Sequence, residues 1–215
     1  MNTQVKQSMS WIMKAILHLR DEAMNVQGLN GIMAQPSFCT RKVYNLLREY
    51  GPDVGWRKVM MANTARSRSV QLLWVACHER IPTKARLVRL GLLDNSACVF
   101  CSEVETMEHL LFSCHATRTV WEHILKWLVV DHRSDSWNSE IAWMNRQCKK
   151  KGNKSRILLC AFTETIYECW WYRNQACFGE KPSEMTVVSR IIDATVYRCW
   201  AKPKLRTTLS RILMP

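Results

Sequence analysis

Four residues that bind soft metal ions lie close together in this chain and limit how that stretch can fold. Cys98, Cys101, His109 and Cys114 follow the spacing C-x2-C-x7-H-x4-C. Three thiolates and one imidazole form a common ligand set for structural zinc, which is bound in a closed tetrahedral site. The pattern therefore predicts a zinc knuckle, in which the metal replaces the apolar core that so short a segment cannot build.

The spacing of the two halves suits a single metal ion. Two residues between Cys98 and Cys101 let one tight turn direct both sulfur atoms to a common point. We expect a short helical stretch over residues 105–112 to bring His109 and Cys114 back to that point. Because the protein then fills all four positions, none remains for the water that catalytic zinc activates. We therefore expect the zinc to be structural.

The same residues also allow simpler explanations. Cysteines are common in protein cores without a metal, and a surface histidine needs no ligand role. His115 follows Cys114 directly and is a second candidate for the histidine ligand, although adjacent residues point in different directions. Cys77 and His78 form a further pair that we expect to be core or surface residues. We prefer His109 as the ligand.

The residues around the four ligands are more specific than their spacing. Residues 73–87 read LWVACHERIPTKARL, SACVFC holds the first two cysteines, ETMEHLLFSC holds the other two ligands, and Trp121 follows. This order resembles the zinc-binding region at the C-terminal end of reverse transcriptases from plant LINE-type (non-LTR) retrotransposons. In that family the segments P-T-x-x-R-L, C-x2-C and E-T-x-x-H-L-x-x-x-C follow one another. The resemblance implies a bound zinc ion and an accessory role in recognising nucleic acid.

The resemblance extends to both sides of this region through less specific motifs. Upstream, Ser10, Trp11 and residues 38–47 are similar to the helices that precede the zinc region in these reverse transcriptases. Residues 56–58 resemble the family's V-P-W-x-K segment, although Gly55 stands where the family usually has proline. Downstream, the family's I-Y-x-x-W-x-x-R-N helix is matched by Ile166, Trp170, Arg173 and Asn174.

The sequence contains no recognisable motif of the polymerase or nuclease that such retrotransposons encode. It lacks the Tyr-x-Asp-Asp motif of the polymerase, and its acidic residues are too scattered for the carboxylate cluster that a two-metal nuclease requires. No nucleophile with a neighbouring base and no phosphate-binding loop is recognisable. We therefore expect a reverse transcriptase tail without enzymatic activity, either retained by a host or left as a non-functional remnant.

The charge of the chain favours a polyanionic partner. It has 31 Lys and Arg residues against 18 Asp and Glu, a net charge of +13, which attracts nucleic acid over a long range. We expect nucleic acid as the partner, RNA more than DNA, and no membrane or small-molecule substrate. The alternatives are a solvated basic surface and a helical protein-interaction scaffold with a purely structural zinc ion. The scaffold would present an exposed apolar groove to a protein partner.

Candidate nucleic-acid contacts form two basic clusters and one aromatic position. The cluster nearest the zinc motif consists of Arg66, Arg68, Arg80, Lys84, Arg86 and Arg89. The second consists of Lys149, Lys150, Lys151 and Lys154, for which a solvated loop is the alternative. Phe100, between the first two cysteines, is a candidate to stack on a base, or else packs on Trp121 or Leu110. We expect most tryptophans, including Trp74, Trp170 and Trp171, to be packing anchors.

The cysteines indicate a reducing environment. Ten cysteines occur without an N-terminal secretion signal, so we expect free thiols and an intracellular location, nucleus or cytoplasm. No run of residues approaches the roughly twenty apolar residues of a membrane span.

Apolar periodicity predicts a mainly α fold, a helical array with an inserted zinc knuckle and little or no β structure. Helices are predicted over residues 8–23, 40–50, 69–78, 116–129 and 156–178, with a loop at 131–136 and a hinge at 149–154. The apolar spacing predicts three inward faces, which consist of Val43, Leu46 and Leu47; of Val70, Leu73, Trp74 and Cys77; and of Val120, Trp121, Ile124, Leu125 and Leu128. The expected organisation is N-terminal helices (1–62), a zinc-binding domain (63–130) and a C-terminal helical region (131–215).

Overall fold

A computed structural model describes residues 10–12, 14, 25–34, 37, 39–47, 54–61, 63–150 and 152–213. The chain divides into two compact units, Met1–Asp53 and Val54–Pro215. The helix predicted over residues 8–23 lies mostly outside the described residues, although Trp11, Ile12 and Lys14 are helical. Lys151 also lies outside them. The predicted division at residues 62 and 130 stays a prediction.

The first unit contains two short described helices, α1 (Leu29–Met33) and α2 (Thr40–Leu47). Leu46 and Leu47 were expected to face inward, but both are exposed. The turn before α1 uses Gly28, whose φ of +90° favours glycine, and the Leu46 side chain lies 3.4 Å from the position of a Cβ there.

The second unit is built from helices and from residues 97–114, which carry the four predicted ligands and are called the zinc-binding loop below. Its helices are α3 (Arg57–Met61), α4 (Ser67–Cys77), α5 (Lys84–Arg89), α6 (His115–Trp127), α7 (Trp137–Lys149), α8 (Asn153–Phe178), α9 (Glu184–Trp200) and α10 (Pro203–Leu213). A single π turn, His109–Ser113, precedes α6. Within the described residues the extended pairing is limited to one isolated bridge between Ala97 and Val104. The predicted mainly α fold is confirmed.

The long helix α8 forms the centre of the second unit. Residues 157–166 are all buried, so the helix is enclosed on every side in this part, including its polar side chains. Helices α4, α6, α7, α9 and α10 pack around it. The Phe162 ring stacks on Phe112 at 5.7 Å and meets Trp121 edge-on at 5.6 Å between centroids. Phe112 therefore anchors the π turn in the core.

Buried carboxylates on α8 fix the helices around it. Glu164 accepts hydrogen bonds from the backbone and guanidinium of Arg66 and from the Ser69 hydroxyl. Glu168 pairs with Arg66 and Arg190. Both carboxylates are fully buried, and their partners compensate the cost of removing the charges from water. The start of α4 and the middle of α9 are thus held to α8 through polar contacts.

The predicted inward face of α4 is correct except for Trp74. Leu73 is buried, and Val70 and Cys77 are half-buried against the core, together with the buried Ser69 and Ala76. Trp74 is 46% exposed. On the side of α4 that faces α8, the Ser69 hydroxyl donates to the Glu164 carboxylate.

The loop predicted at residues 131–136 and the hinge predicted at residues 149–154 both connect helices in the structure. Residues 131–136 form a loop, which is held by buried Glu140 through its contact with His132. Helix α7 ends at Lys149 and α8 begins at Asn153, so the hinge is shorter than predicted. None of the helices in the described part of the chain is long and apolar enough to cross a membrane.

Candidate zinc centre and basic surfaces

The four predicted zinc ligands meet at one point in the structure. One ligand atom from each of Cys98, Cys101, His109 and Cys114 lies within 4.8 Å of the others. Cys114 Sγ is 3.9 Å from both Cys98 Sγ and Cys101 Sγ. Zn–S bonds of about 2.3 Å in a tetrahedron place sulfur atoms about 3.8 Å apart. The donor set and its spacing therefore fit a zinc ion.

A tight turn presents the first two cysteines. The Cys98 amide donates to the Glu103 carbonyl, and the Phe100 amide donates to Cys98 Sγ at 3.4 Å. The bridge between Ala97 and Val104 closes the base of this turn. Ser102 has a φ of +65°, so the turn uses a left-handed conformation at a residue other than glycine.

A π turn presents the other two ligands. The Cys114 amide donates to the His109 carbonyl at 2.7 Å, so one wide turn of five residues spans the interval between the two ligands. Thr106 Oγ1 accepts from the His109 amide and holds the start of this turn. A π turn inside a helical segment is rare and often lies at a functional site. The x4 spacing predicted a helical return, but it gave no signal for the wider turn.

The carboxylate of Glu103 orients the histidine ligand. His109 Nε2 lies 3.1 Å from Cys101 Sγ, and its Nδ1 lies 3.2 Å from a Glu103 carboxylate oxygen. A carboxylate on the far nitrogen fixes the tautomer and the orientation of a zinc-bound imidazole. His115 is exposed at the first position of α6 and is not part of the cluster. The geometry thus distinguishes the two histidine candidates.

The cluster also changes the acidity of its thiols. The hydrogen bond that Cys114 donates to Cys98 lowers the pKa of the Cys98 thiol to about 4. The same hydrogen bond, together with burial, raises the pKa of the Cys114 thiol well above its usual value. The lowered pKa favours the thiolate form of Cys98, which is the form that binds zinc, and metal binding displaces the remaining protons.

A buried ion pair joins the zinc loop to α8. Glu105 is fully buried, and Arg173 Nη2 donates to its Oε1 at 2.7 Å. The backbone amides of Lys84 and Ala85 donate to the Glu105 carboxylate and carbonyl, respectively. One glutamate therefore holds the start of α5, the zinc loop and α8 together. The sequence motifs contained both charged residues but did not pair them.

Comparison with known families agrees with this geometry. Residues 38–121 match the family model for zinc-binding in reverse transcriptase. This segment resembles the zinc-binding domain of reverse transcriptases. The match includes all four ligands, so the predicted reverse transcriptase zinc-binding region and the predicted zinc cofactor are confirmed. Neither a curated protein nor a solved structure gave a significant match to the chain.

Two arginines of the first basic cluster lie beside the zinc-binding loop. Arg86 and Arg89 line a cleft of about 320 Å³ together with Thr106, which precedes the ligand His109. Among the described residues, neither guanidinium has a hydrogen-bond or ion-pair partner. Glu79 and Glu108 line the same cleft and offset part of its positive charge.

The other members of this cluster have different surroundings. Arg80 is exposed after α4, whereas Lys84 is half-buried and its Nζ donates to the Ala97 carbonyl. Arg66 is committed to Glu164 and Glu168, so it stabilises the fold instead of offering a free charge. Arg68 is exposed and lies 4.9 Å from the centroid of the Tyr167 ring.

The second basic cluster lies where α7 ends and α8 begins. Lys149, Lys150 and Lys154 are exposed, and Lys154 Nζ donates to the Val129 carbonyl. Asn153 donates to the Lys204 carbonyl, which places the start of α10 beside this cluster. Sequence reasoning did not bring α10 to this position, because Asn153 and Lys204 lie 51 residues apart in the chain.

Phe100 packs against Tyr172 of the long helix α8. Its ring lies 4.5 Å from the Tyr172 ring of α8, and Lys181 Nζ lies 5.2 Å from its centroid. Trp121, the partner considered from the sequence, meets Phe112 and Phe162 instead. Phe100 is half-buried, so part of its ring stays open to solvent.

Proposed function

We propose that this chain is a zinc-stabilised module that binds nucleic acid, RNA more tightly than DNA, and has no polymerase or nuclease activity of its own. The observation that carries the proposal is the position of Arg86 and Arg89 beside the zinc-binding loop, with no protein partner among the described residues. Guanidinium groups form bidentate hydrogen bonds with phosphates and stay positively charged at neutral pH.

The way α5 is held supports this role. The amides of Lys84 and Ala85 donate to Glu105, and Glu105 is held in turn by Arg173. The arginines therefore belong to a helix that is fixed to the zinc-binding loop. Phosphate contacts made from a rigid base set the register of a nucleic acid on a protein surface. Zinc would act through this rigidity, since four protein ligands already surround it.

The proposal of no catalytic activity rests on the residues themselves. The four zinc ligands leave no open position for an activated water, and the sequence has no Tyr-x-Asp-Asp motif. Catalytic phosphoryl transfer by two metals needs clustered carboxylates facing solvent. The buried glutamates of α8 are instead paired with arginines.

A binding titration with a charge-reversal variant tests the proposal. We would titrate a labelled single-stranded RNA of about 16 nucleotides, and the DNA of equal sequence, at about 50 and 200 mM salt. Arg86→Glu combined with Arg89→Glu should weaken RNA binding about tenfold or more at low salt. Zinc content should not change, because neither guanidinium has a hydrogen-bond or ion-pair partner among the described residues. The melting temperature should fall only slightly, since both residues lie in the last turn of α5, where a negative charge is unfavourable.

The matched control separates local from overall charge. Lys126→Glu combined with Arg211→Glu changes the net charge equally at exposed positions of α6 and α10. This control should retain most of the affinity. Absence of RNA binding by the wild-type protein at low salt would refute the proposal. Equal losses in the two double variants would show that overall charge, and not α5, is responsible.

The protein-interaction scaffold is the second candidate function, and one observation favours it. An open apolar groove of about 580 Å³ on α9 is lined by Val196, Tyr197 and Trp200. Tyr197 is 75% exposed. If the wild-type protein binds no RNA or DNA at low salt while its zinc content is complete, this scaffold becomes the better explanation.

A further inference from the structure

A second groove runs between α4 and α8, and its composition differs from that of the α9 groove. It has a volume of about 370 Å³, in the range of ligand sites in proteins. Its lining includes three aromatic rings, two carboxamides and one guanidinium, from Tyr167, Trp170, Trp171, Gln71, Asn174 and Arg68. None of the described residues that line it is acidic.

Arginines hold the aromatic rings of this groove in place. Arg173 lies 5.2 Å from the Trp170 ring centroid, and Arg190 lies 3.8 Å from that of Trp171. Arg173 is itself fixed by Glu105 and Arg190 by Glu168, and both carboxylates are fully buried. Cation–π contacts with fixed guanidinium groups restrict the motion of the rings. The two indoles are therefore pre-oriented, and they remain half-buried instead of covered.

The polar groups of the groove have unused hydrogen-bonding capacity. Gln71 is exposed, and its carboxamide has no partner among the described residues. Asn174 Oδ1 accepts from Arg173 Nη1, which leaves the Asn174 amide nitrogen as a donor without an acceptor among those residues. A carboxamide offers both a donor and an acceptor, and the edge of a nucleobase presents the same pair of functions.

We propose that this groove binds an unpaired base of single-stranded nucleic acid. The base stacks on the Trp170 and Trp171 side of the groove, Gln71 and Asn174 meet its edge, and Arg68 contacts the adjoining phosphate. The inference rests on the proposed nucleic-acid function and adds a contact region apart from Arg86 and Arg89. Bases in a duplex are already stacked and paired, so the groove selects single strands.

Two variants and one matched control test this proposal by affinity. Trp170→Leu removes the stacking surface but keeps an apolar side chain, and it should weaken binding of a single-stranded RNA about fivefold or more. Gln71→Glu keeps the shape but replaces the amide donor at the base edge with a negative charge in the groove, so it should also weaken binding. Trp74→Leu is the control. Trp74 lies on α4 like Gln71, but it is exposed and packs on His78 outside the groove.

Photochemical crosslinking gives a readout that loss of packing would not produce. A single-stranded RNA that carries 4-thiouridine should crosslink to the wild-type protein within residues 167–174 or at Gln71, and the same DNA with 4-thiothymidine shows whether the ribose matters. An unlabelled duplex of equal sequence should compete poorly. The melting temperature and zinc content of each variant identify any loss of folding.

The outcomes separate this inference from the proposed function. If wild-type protein binds RNA with salt dependence, but crosslinks lie elsewhere and neither variant changes affinity, the groove assignment is wrong while the proposed function stands. If only Trp170→Leu loses affinity and no crosslink maps to the groove, the effect comes from packing and the assignment is also wrong. If wild-type protein binds neither RNA nor DNA at low salt, both proposals fail.

Discussion

At the scale of single residues, the zinc centre depends on four side chains, and the described part of the chain brings no fifth ligand to the cluster. Cys101 is exposed, and its sulfur lies within reach of His109 Nε2 and Cys114 Sγ. A serine hydroxyl has nearly the same shape, but it is a much poorer ligand for zinc than a thiolate. Arg66, by contrast, is a residue whose role follows from Glu164 and Glu168 and not from its place in a basic cluster.

We predict that Cys101→Ser abolishes stable zinc binding. Elemental analysis should give about one zinc ion per chain for the reduced wild-type protein and far less for the variant. Its melting temperature should fall, because the free energy of metal binding is also free energy of folding. Cys177→Ser is the control: Cys177 is half-buried and lies outside the ligand cluster. Retention of zinc by Cys101→Ser would exclude this ligand.

At the scale of secondary-structure elements, the zinc-binding loop is held by two different kinds of contact. Phe112 of the π turn packs on Phe162 of α8, and Glu105 pairs with Arg173 of α8. The helices themselves were largely predictable: the buried stripe of Val120, Trp121, Ile124, Leu125 and Leu128 was expected from its spacing and is buried as expected. The wide π turn could not be predicted from the sequence, because no residue type is typical of such a turn.

We predict that Arg173→Met destabilises the second unit by about 3 kcal/mol, since it leaves the Glu105 carboxylate buried without its charge partner. Adding Glu105→Gln should restore part of this loss, because the unpaired charge is then removed. Chemical denaturation of wild type, both single variants and the double variant forms a cycle that measures the coupling between the two residues. Additive effects in this cycle would mean that the ion pair contributes nothing specific.

At the scale of the whole second unit, the zinc-binding loop packs directly against the helical core. The family match ends at Trp121, yet the partners of the loop include Arg173 and Tyr172 on α8. The described surface carries several basic residues on α5 and at the junction of α7, α8 and α10. Loss of metal should therefore affect more than the knuckle.

We predict that removing zinc with a strong chelator loosens α5 before the rest of the unit. Trypsin should cut at Lys84, Arg86 and Arg89 sooner in the metal-free protein, because Glu105 no longer holds the start of α5 when the zinc loop is released. Mass spectrometry of the early fragments gives the order of cleavage. Re-addition of zinc should restore protection, and first cleavage within α8 would contradict the expected order.

Sequence alone determined the features that depend on residue type and local spacing. These are the Cys3His ligand set, the helical periodicity, the near absence of strands and the net charge of +13. They could be read directly because a turn between two cysteines and a helical stripe involve residues only a few positions apart. The same locality explains why the predicted family and zinc cofactor were correct.

Only the tertiary structure decided the contacts between distant parts of the chain. Glu105 meets Arg173 across 68 residues, and Arg66 meets Glu164 across 98. It also placed His109 in the ligand cluster and His115 outside it. Any arginine can in principle pair with any glutamate, so the choice depends on which helices pack together. That packing arises from burial of the whole α8 surface, which no short segment of the sequence contains.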